Sequence, residues 1–545
     1  MAGHVFLTHS DLTKINCDAW LLPSDAFFSV SKAWRLEEHV RTQIDRLRSN
    51  DAPRPSGWGD AGVRVLSLAS PEEQQGRSHP YLVNVGGVST TAIDWYNEGV
   101  RQFLQVVADQ GASTGSRTQR AKPLVGLPLV GTGYGGASGV AGAVVHALVQ
   151  LLHESVEIHD IDVVLVLKDE LTFVAAQNVR RQYLRDRFGP EPTNSWPDLD
   201  AGLVGEATRL AEYATLGRLV LFIGAGVSRG ANLPTWDELL QELARDAGMS
   251  VREQKALAKL HELDRPRIIQ HRLAAQGFTI GQAVCDHLVS DGFSLAHSLL
   301  ASLPATEVVT TNYDCLFEEA SSAAHHEAAV LPYEPVAGHT RWLLKLHGSI
   351  THPADIVLTR EDYLRYADRR AALGGIVQAL LITRHMLFVG FSLKDDNFQR
   401  LVDDVRKAIR PSDAPTDSSW PFGSALLLRR DDLLEELWRK DLQLLTVGSS
   451  NVAGVDDSAR QLDIFLDLLL AESSRGTSPL LDPAFDAVLS DEEREIRGLL
   501  GALEAQASNA ARLSTAWRPI AELLHRLGGP AEANQSSDGP PPFRP

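Results

Sequence analysis

Cysteine is nearly absent: Cys17, Cys285 and Cys315 are the only three in 545 residues, and no two stand in a C-x-x-C pair. That excludes a disulfide framework and a thiolate zinc site, so no metal is expected and a reducing, cytoplasmic setting fits. Positive charge is also in short supply. With 52 Lys+Arg against 70 Asp+Glu, the formal net charge of -18 opposes attraction to nucleic acid phosphates or an anionic lipid surface. No direct nucleic acid partner is expected. Uninterrupted apolar runs fall well short of the roughly 20 residues that span a bilayer, and the N-terminus lacks the basic segment and apolar core of an export signal. No membrane association is expected.

What is present is enough apolar material, 44% of 545 residues, for two or three packed cores. Apolar strand candidates at 4 to 7, 18 to 22, 62 to 68, 80 to 85, 124 to 130 and 162 to 167 alternate with helical stretches, which predicts an α/β domain over 1–188. Three prolines with polar neighbours in GPEPTNSWPDLD mark a linker, placed at 189–204. A second alternation runs over 205–472, with strand candidates at 218 to 223, 307 to 311, 343 to 346, 386 to 390, 424 to 428 and 442 to 447. These should form one mostly parallel, Rossmann-like sheet. Residues 235–303 carry helical periodicity and predict an insertion over the sheet edge, able to act as a lid; Thr235 and Glu238 form a capping box at its start. A helical segment occupies 473–529, fitted equally to self-association or to covering the sheet, and 530–545 has the composition of a disordered tail.

Four short signatures fall at the ends of strands of this second region: LVLFIGAGVS (219–228), TTNYD (310–314), KLHGS (345–349) and GFSLKDDN (390–397). Open α/β sheets bind ligands at the carboxyl ends of their strands, so Gly224, Ala225, Gly226, Ser228, Asn312, Asp314, His347, Gly390 and Ser392 should share one edge. Small residues in the glycine turn admit a pyrophosphate, although a turn of this kind also simply joins a strand to a helix. Asn312 can hold a ribose hydroxyl or a water, or merely make a turn. His347 carries the side chain best suited to proton transfer near neutrality and is the candidate general base. Asp395 or Asp396 reads as the cap of the following helix, and the carboxylates are assigned mainly to structure.

In this order the four signatures resemble the sirtuin family, more closely its prokaryotic NAD-hydrolysing branch used in anti-phage defence. The resemblance implies that Asn312 and His347 are the catalytic pair, that NAD+ is the substrate, and that Gly224, Ala225, Gly226, Ser228, Pro234, Trp236, Thr311, Asp314, Gly390 and Ser392 surround it. Protein-deacylating sirtuins carry paired zinc cysteines and a D-F-R segment after the glycine loop; here the cysteines are missing and Pro234, Thr235 and Trp236 stand in that segment's place. That argues against a NAD-dependent protein deacylase and for an NAD+ glycohydrolase. A non-catalytic NAD or ADP-ribose sensor is the other alternative.

HSDLTKINCDAWLLPSD (9–25) and LPLVGTGYGGASG (127–139) are similar to segments of macro domains, as found in macro-domain variants of Thoeris-type effectors. The resemblance implies an ADP-ribose-like or cyclic ADP-ribose-like activator held by Asp11, Leu12, Gly131, Thr132, Gly133, Tyr134 and Gly135, with Asp11 holding an adenine amine. The same glycines also suit a loop without a ligand. Macro hydrolases have an asparagine-rich segment where this chain has Leu22, Pro23, Ser24 and Asp25, which argues against ADP-ribose hydrolysis. A homo-oligomer is expected.

Overall fold

The computed structural model describes residues 2–529 except 35, 60–61, 69–77, 87–91, 115, 117, 119, 133–136, 410–420, 449–453 and 477. The expected tail at 530–545 lies outside the described residues.

The α/β class expected from the alternation is the one observed. The first sheet comprises β1 Val5–His9, β2 Ala19–Ser24, β3 Val65–Ser67, β4 His79–Asn84, β5 Leu124–Pro128 and β6 Asp162–Leu167, in the order β1-β6-β5-β2-β4-β3. Only the β3–β4 pair is antiparallel. The second comprises β7 Leu219–Ile223, β8 Glu307–Thr310, β9 Ala328–Leu331, β10 Arg341–Lys345, β11 His385–Val389, β12 Gly423–Leu427 and β13 Leu442–Thr446. Its order is β13-β12-β11-β7-β8-β10-β9 and every pair is parallel. Runs such as LVLFI and HMLFV are buried along their whole length, as strands covered by helices on both faces must be.

β9 is not among the strand candidates; it is a four-residue edge strand whose AAVL is only partly buried, too short to stand out from its surroundings. The insertion is helical, with helices between Trp236 and Ser302, and Thr235 and Glu238 make the capping box at its start.

The stretch 189–204, expected as a linker, is instead packed into the body. Pro192–Ser195 forms one helical turn, Trp196 and Leu199 are buried, and the Asp200 side chain caps the helix Ala201–Thr215. The prolines stop the preceding helix as expected, but an aromatic ring among them finds an apolar seat, with the Arg180 guanidinium 5.2 Å from its ring centre.

The two sheets are tied together by the helix Val455–Ser473. Its Arg460 grips Asp162 of β6, with Nε–Oδ2 and Nη2–Oδ1 both at 2.9 Å. Asp463 pairs with Arg120, and Asp467 accepts from Arg180 at 2.7 Å and lies 2.8 Å from His4 Nε2. Burial pushes the Asp467 carboxyl up, but the charges of Arg180 and His4 outweigh it and hold the group below its ordinary value. Beyond this helix lie Asp491–Gln506, Asn509–Arg512 and Trp517–Arg526.

Candidate active site

In the second sheet β7 is the first strand laid down; β8 adds on one side and β11 on the other, so the crevice for a ligand opens beside β7. Register places the signatures side by side. Ile223 is level with Thr310, Thr310 with Lys345, and Ile223 with Val389. Gly224 and Gly390 are therefore each one residue past that line, and Asn312 and His347 each two residues past it.

The glycine turn and the β11 turn are pressed backbone to backbone. Gly224 N donates to Val389 O at 2.9 Å and Gly226 N to Gly390 O at 3.0 Å. A Cβ on Gly224 would stand 2.5 Å from Gly390 O, and Gly390 itself has φ +65. Smallness at Gly224 and Gly390 is thus required by this contact before any ligand is considered. Ala225 and Gly226 face solvent, and Pro234 and Trp236 are half-buried at the start of the next helix.

Ser228 and Asp314 hold Asn312. Asn312 Nδ2 donates to Ser228 Oγ at 3.1 Å, and Ser228 Oγ donates to Asp314 Oδ2 at 2.8 Å. Asp314 Oδ1 accepts from Leu316 N at 3.1 Å. Both oxygens of that carboxylate are engaged within the protein, so it orients the carboxamide. Thr311 N is bonded at 3.4 Å to Ile223 O. Beyond this network, Asn312 Oδ1 is left buried and without a hydrogen-bond partner.

His347 sits under a cover that the sequence did not reveal. Tyr363 and Tyr366 meet its ring edge-on at centroid distances of 5.5 and 6.2 Å. Asp395 Oδ2 lies 3.5 Å from Nε2, outside hydrogen-bond geometry, and accepts from Tyr363 Oη at 2.9 Å. Burial lowers the imidazole pKa, Asp395 works against that and Arg370 with it; the net result is a ring held neutral, the state a base requires. Asp395 also caps its helix, as expected, accepting from Phe398 N at 2.8 Å. One carboxylate serves both tasks, and the cap reading found only one of them. Asp396 is the first residue of that helix, and Ser392 is exposed, accepting from Lys394 N.

The strand that leads into His347 is locked to the turn carrying Asn312 by Lys345. This fully buried ammonium donates to the carbonyl oxygens of Tyr313 and Asp314 and lies 2.8 Å from Glu318. Burial works against its charge, yet Glu318, Cys315 and Asp314 raise its pKa overall. A lysine inside a strand was the available signal, since a buried charge must have a partner. Asn312 and His347 are 6% and 5% exposed, whereas Ala225, Gly226 and Ser392 at the same edge are exposed.

The first sheet presents a different edge. A cleft of about 1010 Å³ opens at the ends of β2, β5 and β6, lined by Leu12, Ser24, Trp34, Gly131, Thr132 and Lys168 among others. Asp11 is already engaged. It accepts from Thr13 N at 3.0 Å and pairs with Lys168 Nζ at 3.0 Å. Burial raises its pKa, but Lys168 and Thr13 together bring it below the ordinary value. Gly133, Tyr134 and Gly135 lie outside the described residues. Among the described residues no group of three or more His, Cys, Asp or Glu side chains is placed to hold a metal, and no helix is long and apolar enough to cross a membrane.

Known proteins share parts of this chain. Residues 306–445 match the family described as SIR2-like domain. The NAD(+) hydrolase ThsA of Enterococcus faecium is 30% identical over 219 residues, covering 38% of this chain and 44% of that protein. ThsA of Bacillus cereus is 28% identical over 194 residues, 34% of this chain and 40% of that one. Defense-associated sirtuin 2 of Bacillus subtilis is 26% identical over 238 residues, 42% of this chain and 23% of that protein. The chain thus spans less than half the length of these relatives. Among solved structures, a macrodomain of Oceanobacillus iheyensis overlays on 33% of this chain and 92% of its own, at 12% identity and a TM-score of 0.25.

Proposed function

We propose that this chain is an NAD+ glycohydrolase, cleaving NAD+ to nicotinamide and ADP-ribose, with residues 205–472 as the catalytic part and Asn312 and His347 as its catalytic residues. One observation supports this above the others: Asn312 Oδ1 and His347 Nε2 are buried polar atoms without hydrogen-bond partners, at matched positions on neighbouring strands beside the glycine turn. Leaving such atoms unpaired costs about 1–3 kcal/mol each, a cost that a polar ligand repays. The relatives named as NAD(+) hydrolases and the SIR2-like match favour the same reading.

In this reading the bond between ribose C1′ and the nicotinamide nitrogen breaks, and its electron pair leaves with nicotinamide. Asn312 positions a ribose hydroxyl or the attacking water. His347 Nε2 takes the proton that water gives up as its oxygen bonds to C1′, which yields ADP-ribose. Ala225, Gly226 and Ser392 are exposed at the same edge and suit the dinucleotide's phosphates and sugars.

Burial of Asn312 and His347 supports a regulated enzyme. We assign residues 1–188 as the sensor, its cleft taking an ADP-ribose-like or cyclic ADP-ribose-like nucleotide that favours an active state of the second domain. A role in anti-phage defence, a cytoplasmic location and a homo-oligomer belong to the same reading. The test is to incubate the purified chain with NAD+, alone and with linear or cyclic ADP-ribose, and to resolve the products by chromatography. Nicotinamide and ADP-ribose should appear in equal amounts, faster with the activating nucleotide. NAD+ left intact in every mixture would refute the proposal.

A further inference from the structure

The two edges are physically joined, and the joint lies directly behind the glycine turn. The short turn Leu12–Lys14, whose Leu12 lines the first cleft, runs into Ile15 and Asn16. There the first domain makes a parallel backbone bridge to the insertion of the second: Phe293 N donates to Lys14 O and Asn16 N to Phe293 O, both at 2.9 Å. The two backbones are so close that a Cβ on Gly292 would meet Lys14 O at 2.5 Å.

From this bridge, side chains reach the glycine turn. Asn16 Nδ2 donates to Gly230 O at 3.2 Å. Ser294, next to Phe293, donates from Oγ to Val227 O at 3.0 Å. Ser290 donates to Ala231 O at 3.1 Å. Val227, Gly230 and Ala231 surround Ser228, which holds the Asn312 carboxamide. The helix Leu295–Ser302 that starts at Ser294 is fastened to β1 as well, with Ser298 Oγ 2.7 Å and Ser302 Oγ 3.0 Å from Thr8 Oγ1.

We propose that Asn16, a residue of the first domain, is a positioning residue of the site in the second. It fixes the 225–231 turn, and through Ser228 the Asn312 carboxamide, so that the cleft-lining Leu12–Lys14 turn and the glycine turn move as one unit. As a statement about catalysis this rests on the NAD+ reading above; as a statement about the fold it does not. A turn held from outside by three carbonyl contacts has its amides and Ser228 in place before a dinucleotide arrives, and that lowers the ordering cost of binding.

Asn16→Asp keeps the shape of the side chain and removes its donor; Gly292→Ala forces the two backbones apart. Hydrogen–deuterium exchange of the full chain is monitored at 225–232, with β8 and β6 as internal references. Both variants should speed exchange at 225–232 about fivefold, the effect of one lost hydrogen bond, while the references stay unchanged. KM for NAD+ should rise by about the same factor, with a smaller change in kcat. Wild-type exchange at 225–232 in both variants, or acceleration spread evenly over all segments, would overturn the inference. A wild-type chain that leaves NAD+ intact would refute the function reading alone, because the exchange result decides this one without it.

Discussion

Two mostly parallel sheets in one chain each carry glycines at their carboxyl edge, yet one edge is a cleft of about 1010 Å³ and at the other Asn312 and His347 are buried. The difference comes from the groups packed around each turn. In the first, Gly131 and Thr132 line open space. In the second, the glycine turn is pressed onto Gly390, and Tyr363 and Tyr366 cover His347. Two different strand orders therefore place glycines at a carboxyl edge, one beside an open cleft and the other beside a buried Asn312 and His347.

The largest effect should come from cutting the contacts that make the two halves one body. Asp467→Ala leaves Arg180 buried without its carboxylate, and removing one partner of such a pair costs about 3–5 kcal/mol. Thermal unfolding should shift down markedly, with both halves melting together; two separate transitions at unchanged temperatures would show that the halves are independent.

A smaller change should affect only the open half. Gly131 has φ +84, and a Cβ there would lie 2.7 Å from the Tyr96 ring, so Gly131→Ala should weaken nucleotide binding at the cleft on the order of tenfold. Calorimetric titration with ADP-ribose checks this, and unchanged affinity would remove Gly131 from the site.

Acidity should act on the second half. His347 is held below the ordinary value of 6.5, so the acid limb of kcat/KM for NAD+ should fall below pH 6.5; a limb above it would exclude this imidazole as the base. Stability should change with the same sign. Burial holds folded-state His297 and His385 at about 4, while the unfolded chain takes up these protons below 6.5, so denaturant midpoints should decline between pH 6.5 and about 4.

Much of this was legible in the sequence because it is local. Apolar runs marked the strands, and Thr235 with Glu238 marked a helix start, since each signal needs only neighbours along the chain. The features that escaped depend on distant partners. Asp467 and His4 are 463 positions apart, and the sequence offers only a hint, two aspartates set in the apolar run LDIFLDLLL. Asp395 read as a cap because its helix is adjacent, whereas Tyr363 and His347 reach it only through the fold. Asn16 drew no reading of its own, because its contact with Gly230 joins positions 214 apart.

The most direct measurement is a double-mutant cycle of nicotinamide release by wild type, Asn312→Ala, His347→Ala and the double variant. If the carboxamide and the imidazole act on one bond, each single change should lower kcat/KM on the order of 100-fold or more, and the double should lose little beyond the worse single. Wild-type rates in either single variant would contradict the assignment of this pair.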